Sequence, residues 1–241
     1  MNKKQKKTLR TVILFIAFLA AIFFNAYKDR LIGTDNKTKI ENIKGLDINN
    51  LPVYTSKPYV VVNNNEPDFS KEALNTKSFE KYSELDSLGR CGVADSIIGK
   101  DLMPNKKREN ISSVKPSGWQ SVRYEGIDGG SLYNRCHLIG FQLAGENANK
   151  LNLVTGTRYL NTQGMLPFEN MVADYVKETN NHVRYRVTPV FVDKELVCRG
   201  VQIEAMSVED EGKAIKFNVY CFNVQPNIDI DYKTGKSSKQ N

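Results

Sequence analysis

The sequence predicts an α+β fold, and three observations carry that prediction. From Met165 to Glu178 the apolar residues Met165, Phe168, Met171, Val172, Tyr175 and Val176 recur at intervals of three, four and one, which is a helical period. Three stretches after it, His182 to Val192, Glu195 to Met206 and Ala214 to Val224, alternate in the manner of strands, with turns expected at Asp193-Lys194 and Glu211-Gly212. Ahead of the helix, Ser121 to Tyr124 and Leu132 to His137 flank Asp128-Gly129-Gly130, a turn signal between two strand-like pieces. Strands and helix are thus grouped rather than alternating, so the sheet is expected to be antiparallel.

Taken in order, the chain opens on a basic cluster, Lys3, Lys4, Lys6, Lys7 and Arg10, followed by an uncharged run from Thr11 to Phe24. Basic first and apolar second is the layout of a signal anchor or a signal peptide. No clear small-x-small cleavage site follows, so an uncleaved membrane anchor is expected, with a cleaved signal peptide as the alternative. The body would then lie outside the cell, anchored at its surface or secreted. Residues 28–50 are polar and charged and read as a linker or stalk. Pro58-Tyr-Val-Val-Val-Asn is a β-branched strand signal, Phe69 to Tyr82 reads as one or two short helical turns, and Leu88 to Gly99 as extended chain broken by glycines. The domain division is then 1–27 anchor or signal peptide, 28–50 linker, 51–232 one catalytic domain and 233–241 a polar, frayed tail.

Charge says less than it seems to. The net value of +7 includes the five N-terminal basic residues; without them 29 basic residues face 27 acidic ones, a balance of +2. The local distribution is more informative. Between Lys100 and Arg123, Lys100, Lys106, Lys107, Arg108, Lys115 and Arg123 oppose only Asp101 and Glu109, a patch suited to a polyanion. The four cysteines, Cys91, Cys136, Cys198 and Cys221, allow three disulfide pairings, or none, and contain no Cys-x-x-Cys pair of the kind a structural zinc site uses.

Only two histidines occur. His137 ends the expected hairpin strand and is the candidate base, because imidazole exchanges a proton near neutrality. His182, opening a later strand, reads as structural. Downstream of His137, Asn161 stands at the mouth of the helix, where an amide oxygen suits a hard cation that keeps most of its waters. Glu169 lies eight residues further on and Asn152 nine residues earlier. Cys136 adjoins His137, but neighbours on a strand point to opposite faces, so a cysteine–histidine nucleophile pair is not expected.

Asn134-Arg135-Cys136-His137, Asn152 in Leu-Asn-Leu, Asn161 in Tyr-Leu-Asn-Thr-Gln and Glu169 in Phe-Glu-Asn together resemble the DNA/RNA non-specific endonucleases of the ββα-metal (His-Me finger) group, particularly the bacterial DNA-entry nuclease branch. The likeness covers about residues 88–232. It implies a ββα-metal finger within the α+β fold and hydrolysis of DNA, and of RNA as well, with little sequence preference. It further implies that His137 is the general base, that Asn161 binds Mg2+ (or Mn2+), that Glu169 acts through a water on the metal, and that Asn152 positions His137 or the phosphate. Arg108, with Arg90 as second choice, would grip the scissile phosphate, and Arg135 would anchor the hairpin structurally. Where the family signature reads Asp-Arg-Gly-His, Asn134 replaces aspartate and Cys136 replaces glycine. Asn134 is harmless if its backbone carbonyl, rather than an acidic side chain, sets the histidine tautomer. The alternative reading is a catalytically weakened extracellular DNA-binding module.

Overall fold

The computed structural model of the chain describes residues 40–240. The expected anchor and most of the expected linker therefore lie outside the described residues. Among those described, no helix is long and apolar enough to cross a membrane.

A seven-stranded sheet holds β1 (Asn42–Ile43), β2 (Tyr59–Val62), β3 (Phe79–Tyr82), β4 (Ala94–Ile98), β7 (Val183–Val190), β8 (Gly200–Ser207) and β9 (Lys216–Phe222), in the order β1-β2-β9-β8-β7-β4-β3. All of its neighbours are antiparallel except β1 and β2. The three alternating stretches of the sequence form the meander β7-β8-β9, paired in continuous register with Tyr185 opposite Ala205 and Ala205 opposite Phe217. Two small ribbons complete the strands among the described residues: β5 (Tyr133–His137) with β6 (Leu153–Thr157), and β10 (Ile228–Ile230) with β11 (Ser237–Lys239). Among the described residues the α-helices are the single turn α1 (Phe141–Ala144) and α2 (Leu166–Thr179), the latter entered through a π-helical turn, Leu160–Met165.

Helix α2 forms where the period predicts it. Pro167 in its first turn needs no backbone donor, and Asn180 ends it in the left-handed conformation at φ 58°. Its buried stripe, Phe168, Met171, Val172, Tyr175 and Val176, is the apolar face read from the sequence. Phe168 lies edge-on to Tyr59 of β2 and tilted against Phe217 of β9, both at 4.9 Å between ring centroids. With Tyr185, Ile203, Ala205 and Val219 fully buried in the sheet, this helix-on-sheet contact is the main core. On the other side of the sheet Arg186 pairs with Glu204 directly across the β7–β8 ladder, and Arg184 pairs with Asp95. Phe69 covers both guanidinium groups, so the buried charges of Arg184 and Glu204 each have a partner.

Several expectations are corrected. The partner of β5 is β6, not the 121–124 stretch. The Asp128-Gly129-Gly130 turn does form, with Gly129 and Gly130 at positive φ, but it supports only a single bridge, Arg123 to Ser131, before the chain departs. Phe69 to Tyr82, expected as one or two short helical turns, holds one 3-10 turn, Lys71–Ala73, and then a strand that was not expected, Phe79–Tyr82. Part of the stretch read as linker, Asn42–Ile43, is already in the sheet, and part of the tail read as frayed, Ser237–Lys239, is paired. All four cysteines are buried and free.

The β5–β6 ribbon is fitted closely to the rest. Gly156, opposite Asn134 in the ladder, leaves no space for a side chain: a Cβ there would meet Cys136 Sγ and stand 3.0 Å from Cys136 Cβ. Gly156→Ala should therefore overpack this strand pair and lower unfolding free energy by about 1–3 kcal/mol, measured by chemical denaturation. Asn223, fully buried, ties the ribbon to the main sheet by donating to the carbonyls of Thr155 and Cys198 and accepting from the Thr157 N–H.

Candidate active site

Strand β5 ends on His137, which is 6% exposed. Its Nε2 lies 2.8 Å from the carbonyl oxygen of Asn147. A carbonyl can only accept, so Nε2 carries the proton and Nδ1 keeps the lone pair. That lone pair faces outward to Arg108, whose guanidinium nitrogen is 3.5 Å away. Burial lowers the histidine pKa from its ordinary 6.5, and the positive charge of Arg108 lowers it further, against the opposing pull of the Asn147 carbonyl and the Glu146 carboxylate. At neutral pH the ring is therefore an uncharged base with a defined tautomer. The carbonyl that fixes this tautomer is Asn147's, not that of Asn134.

The chain just beyond the histidine is held by Asn152, which is fully buried. Its side chain accepts from Ile139 N–H at 2.8 Å and donates to Ile139 C=O at 3.0 Å, while its carbonyl takes the Leu138 N–H at 2.9 Å. Asn152 thus acts on the turn that follows His137, and its amide is turned inward rather than toward a substrate phosphate.

From β6 the chain enters the π-helical turn. Thr157 Oγ1 accepts the Leu160 N–H, and the Leu166 N–H reaches back to the Asn161 carbonyl, the wide turn that carries Asn161 to the mouth of α2. The Asn161 amide nitrogen points to Asn134 Oδ1 at 3.5 Å, an oxygen that Arg158 also approaches at 3.4 Å. Arg158 is held in turn by Asp128. With its nitrogen directed to Asn134, the Asn161 amide oxygen meets no protein donor among the described residues. That is what one amide ligand to a largely hydrated divalent cation requires. Among the described residues no group of three or more His, Cys, Asp or Glu side chains could hold a metal.

Glu169, in the first turn of α2, sits against Gly140, where an added Cβ would come within 2.5 Å of its carboxylate oxygen. Gly140 is needed for this close approach. Removal from water pushes the Glu169 carboxyl up to about 7, with Gln142 and the charge of Arg108 pulling the other way. Arg108 therefore acts on both His137 and Glu169.

The remaining candidates are engaged with other partners. Arg90 is engaged with Asp86 and with the carbonyls of Asp193 and Glu195, and it stacks over Phe191. Arg135 stacks at 4.0 Å over Trp119 and donates to the carbonyls of Ser112 and Val114, pinning the 112–119 loop. Cys136 is fully buried against Gly156, and burial raises its thiol pKa well above the usual value, so it is inert. His182 pairs with Glu209 at 2.6 Å. Sequence reasoning missed Asn147, Arg158 and Gly140. Arg158 carries a signal in hindsight, a basic residue one helical turn before Asn161, whereas the backbone carbonyl of Asn147 leaves none in the residue types.

The model of the DNA/RNA non-specific endonuclease family matches residues 70–209. The fold is similar to NucA from Streptococcus agalactiae, in its magnesium-bound structure (27% identity, 80% of this chain and 92% of that one, TM-score 0.69) and in its metal-free structure (28% identity, the same shares, TM-score 0.68). It is also similar to the Sda1 nuclease with a zinc ion bound, at 31% identity over 67% of this chain and 81% of that one, with a TM-score of 0.57. With a matched stretch of that extent and a buried, tautomer-fixed histidine at the end of the ribbon, the chain belongs to the DNA/RNA non-specific endonuclease family and is a nuclease.

Proposed function

We propose that the protein is a sequence-non-specific, Mg2+-dependent endonuclease acting on DNA and RNA, with His137 as general base. The observation that carries this is the polarity of the imidazole: Nε2 is committed to the Asn147 carbonyl, and the Nδ1 lone pair faces the Arg108 guanidinium, 3.5 Å away. His137 Nδ1 takes a proton from a water as that water's oxygen bonds to phosphorus and the bond to the 3′ oxygen breaks. Arg108 binds the scissile phosphate and, while it remains near His137, keeps the base uncharged. Asn161 would be the protein ligand for the divalent cation, and Glu169 would orient a water beside it. When bound, the cation stabilises the negative charge that gathers on the phosphorane and the leaving oxygen.

The family's use of divalent metals is supported by the magnesium in NucA and the zinc in Sda1. An amide oxygen at Asn161 completed by waters would give a hard oxygen-donor set, which favours Mg2+, with Mn2+ as a working substitute. The basic cluster and the apolar run of residues 11–24 support an extracellular body, held at the membrane by that segment or released.

The decisive assay is degradation of plasmid and of RNA by purified protein with Mg2+, with and without EDTA. Cutting that persists unchanged in EDTA would defeat the metal-dependent reading, and DNA retention without cleavage under any divalent metal would favour the weakened binding module. A pH profile adds a second test. Since the base works only when neutral, kcat/KM should fall as pH drops through the His137 pKa, giving an acid limb centred below 6.5. Arg108→Gln removes a charge that lowers this pKa, so the acid limb should move to higher pH.

A further inference from the structure

The residues between α1 and Asn152 do more than supply one carbonyl. Asn147 makes two hydrogen bonds in opposite directions. Its backbone oxygen takes the Nε2 proton of His137 at 2.8 Å, and its side-chain oxygen takes the backbone N–H of Glu109, also at 2.8 Å. Glu109 follows Arg108 directly. Two residues before Asn147, Gly145 closes α1 in the left-handed conformation at φ 69°. A Cβ at Gly145 would stand 3.4 Å from Pro104 Cα and 3.7 Å from the Leu102 carbonyl oxygen, so this corner already packs on the same basic loop. The segment therefore runs close to the loop at 102–104 and is bonded to it at 109, two points that bracket Lys106, Lys107 and Arg108.

We propose that Asn147 is a positioning residue: it clasps the 102–109 loop to the catalytic ribbon and so sets where the Arg108 guanidinium stands relative to His137. The backbone half of the residue serves the base, and the side-chain half serves the arginine. A single residue thus fixes both partners of the Arg108–His137 pair, which the chain otherwise separates by 29 positions. The geometry also explains how Arg108, on an exposed loop without regular secondary structure, comes to lie beside a buried ring. Cutting the side-chain bond leaves the carbonyl, and hence the histidine tautomer, in place. This inference rests on the reading of His137 as base and Arg108 as phosphate ligand.

The test is a double-mutant cycle in the full-length protein with Mg2+, comparing Asn147→Ala, Arg108→Ala and the pair, with kcat and KM measured separately across pH. Asn147→Ala should lower kcat/KM about tenfold, the order expected for one lost hydrogen bond. In the Arg108→Ala background it should cost less than about twofold, because the arginine it positions is gone. The charged groups acting on His137 are Arg108 and Glu146. Release of Arg108 should therefore carry the acid limb of Asn147→Ala upward, as in Arg108→Gln. Asn147→Asp keeps the acceptor and should recover most of the loss above that limb. Glu109→Pro deletes the donor from the other side and should reproduce the Asn147→Ala phenotype, which also serves if Asn147→Ala folds poorly. Fully additive costs with an unmoved acid limb would overturn the clasp. Full activity in Arg108→Ala would instead overturn the underlying assignment of Arg108.

Discussion

His137→Ala should reduce kcat about a thousandfold, within the range general bases contribute, while the melting transition stays close to that of the parent protein. The reason lies in the environment of the ring. It is buried, its Nε2–H is committed to the Asn147 carbonyl, and its Nδ1 is the lone pair that burial and Arg108 keep unprotonated. No other imidazole can substitute, because His182 is occupied by Glu209 at the start of β7. A His137→Gly variant opens the space the ring filled, so added imidazole should restore part of the activity in proportion to its neutral form. Plasmid linearisation under single-turnover conditions measures both. Undiminished cutting by the alanine variant would remove His137 from the mechanism.

Asn161→Ala should be comparably severe, lowering kcat about a hundredfold or more at ordinary Mg2+ concentration. Its cause is different and separable. Among the described residues there is no carboxylate cluster to take over the cation, so loss of the amide oxygen should appear first as weaker metal binding. Mn2+ titration followed by electron paramagnetic resonance or calorimetry reads this without reference to turnover, and very high Mg2+ should recover part of the rate. His137→Ala, in contrast, should bind Mn2+ as the parent does. Equal Mn2+ affinity in parent and Asn161→Ala would place the ion elsewhere.

These two residues differ in how legible they were. Helix α2 is announced by its apolar period, and the meander β7-β8-β9 by alternation, because in both cases one face of a local element must be buried. Glu169 and Asn161 inherit their places from that helix and its entry. The partner of β5 was not legible. Asp128-Gly129-Gly130 is a genuine turn, yet β5 pairs with a strand on the far side of the 138–152 segment. Strand β6 is buried at every position, so it shows no alternation, and its asparagine-bearing flanks look like loop. Asn152 likewise carries the residue type of a surface turn and is instead a fully buried clamp on Ile139. The replacement of aspartate by Asn134 looked like a question about the histidine. In the structure Asn134 instead meets Arg158 and Asn161 through its side chain.

The sequence by itself therefore determined the α+β class, the long helix, the meander and the histidine at a strand end, and its motifs carried the resemblance to the family. Residue types and periods are local quantities, and those features follow from local patterns. Tertiary structure alone decided which nitrogen of His137 is free, which of two arginines stands beside it and why Glu169 is held near neutrality. Each of these depends on a backbone carbonyl, a close approach at a glycine or a charge brought in from another loop. Such contacts join residues far apart in the chain, and side-chain identity alone does not encode them.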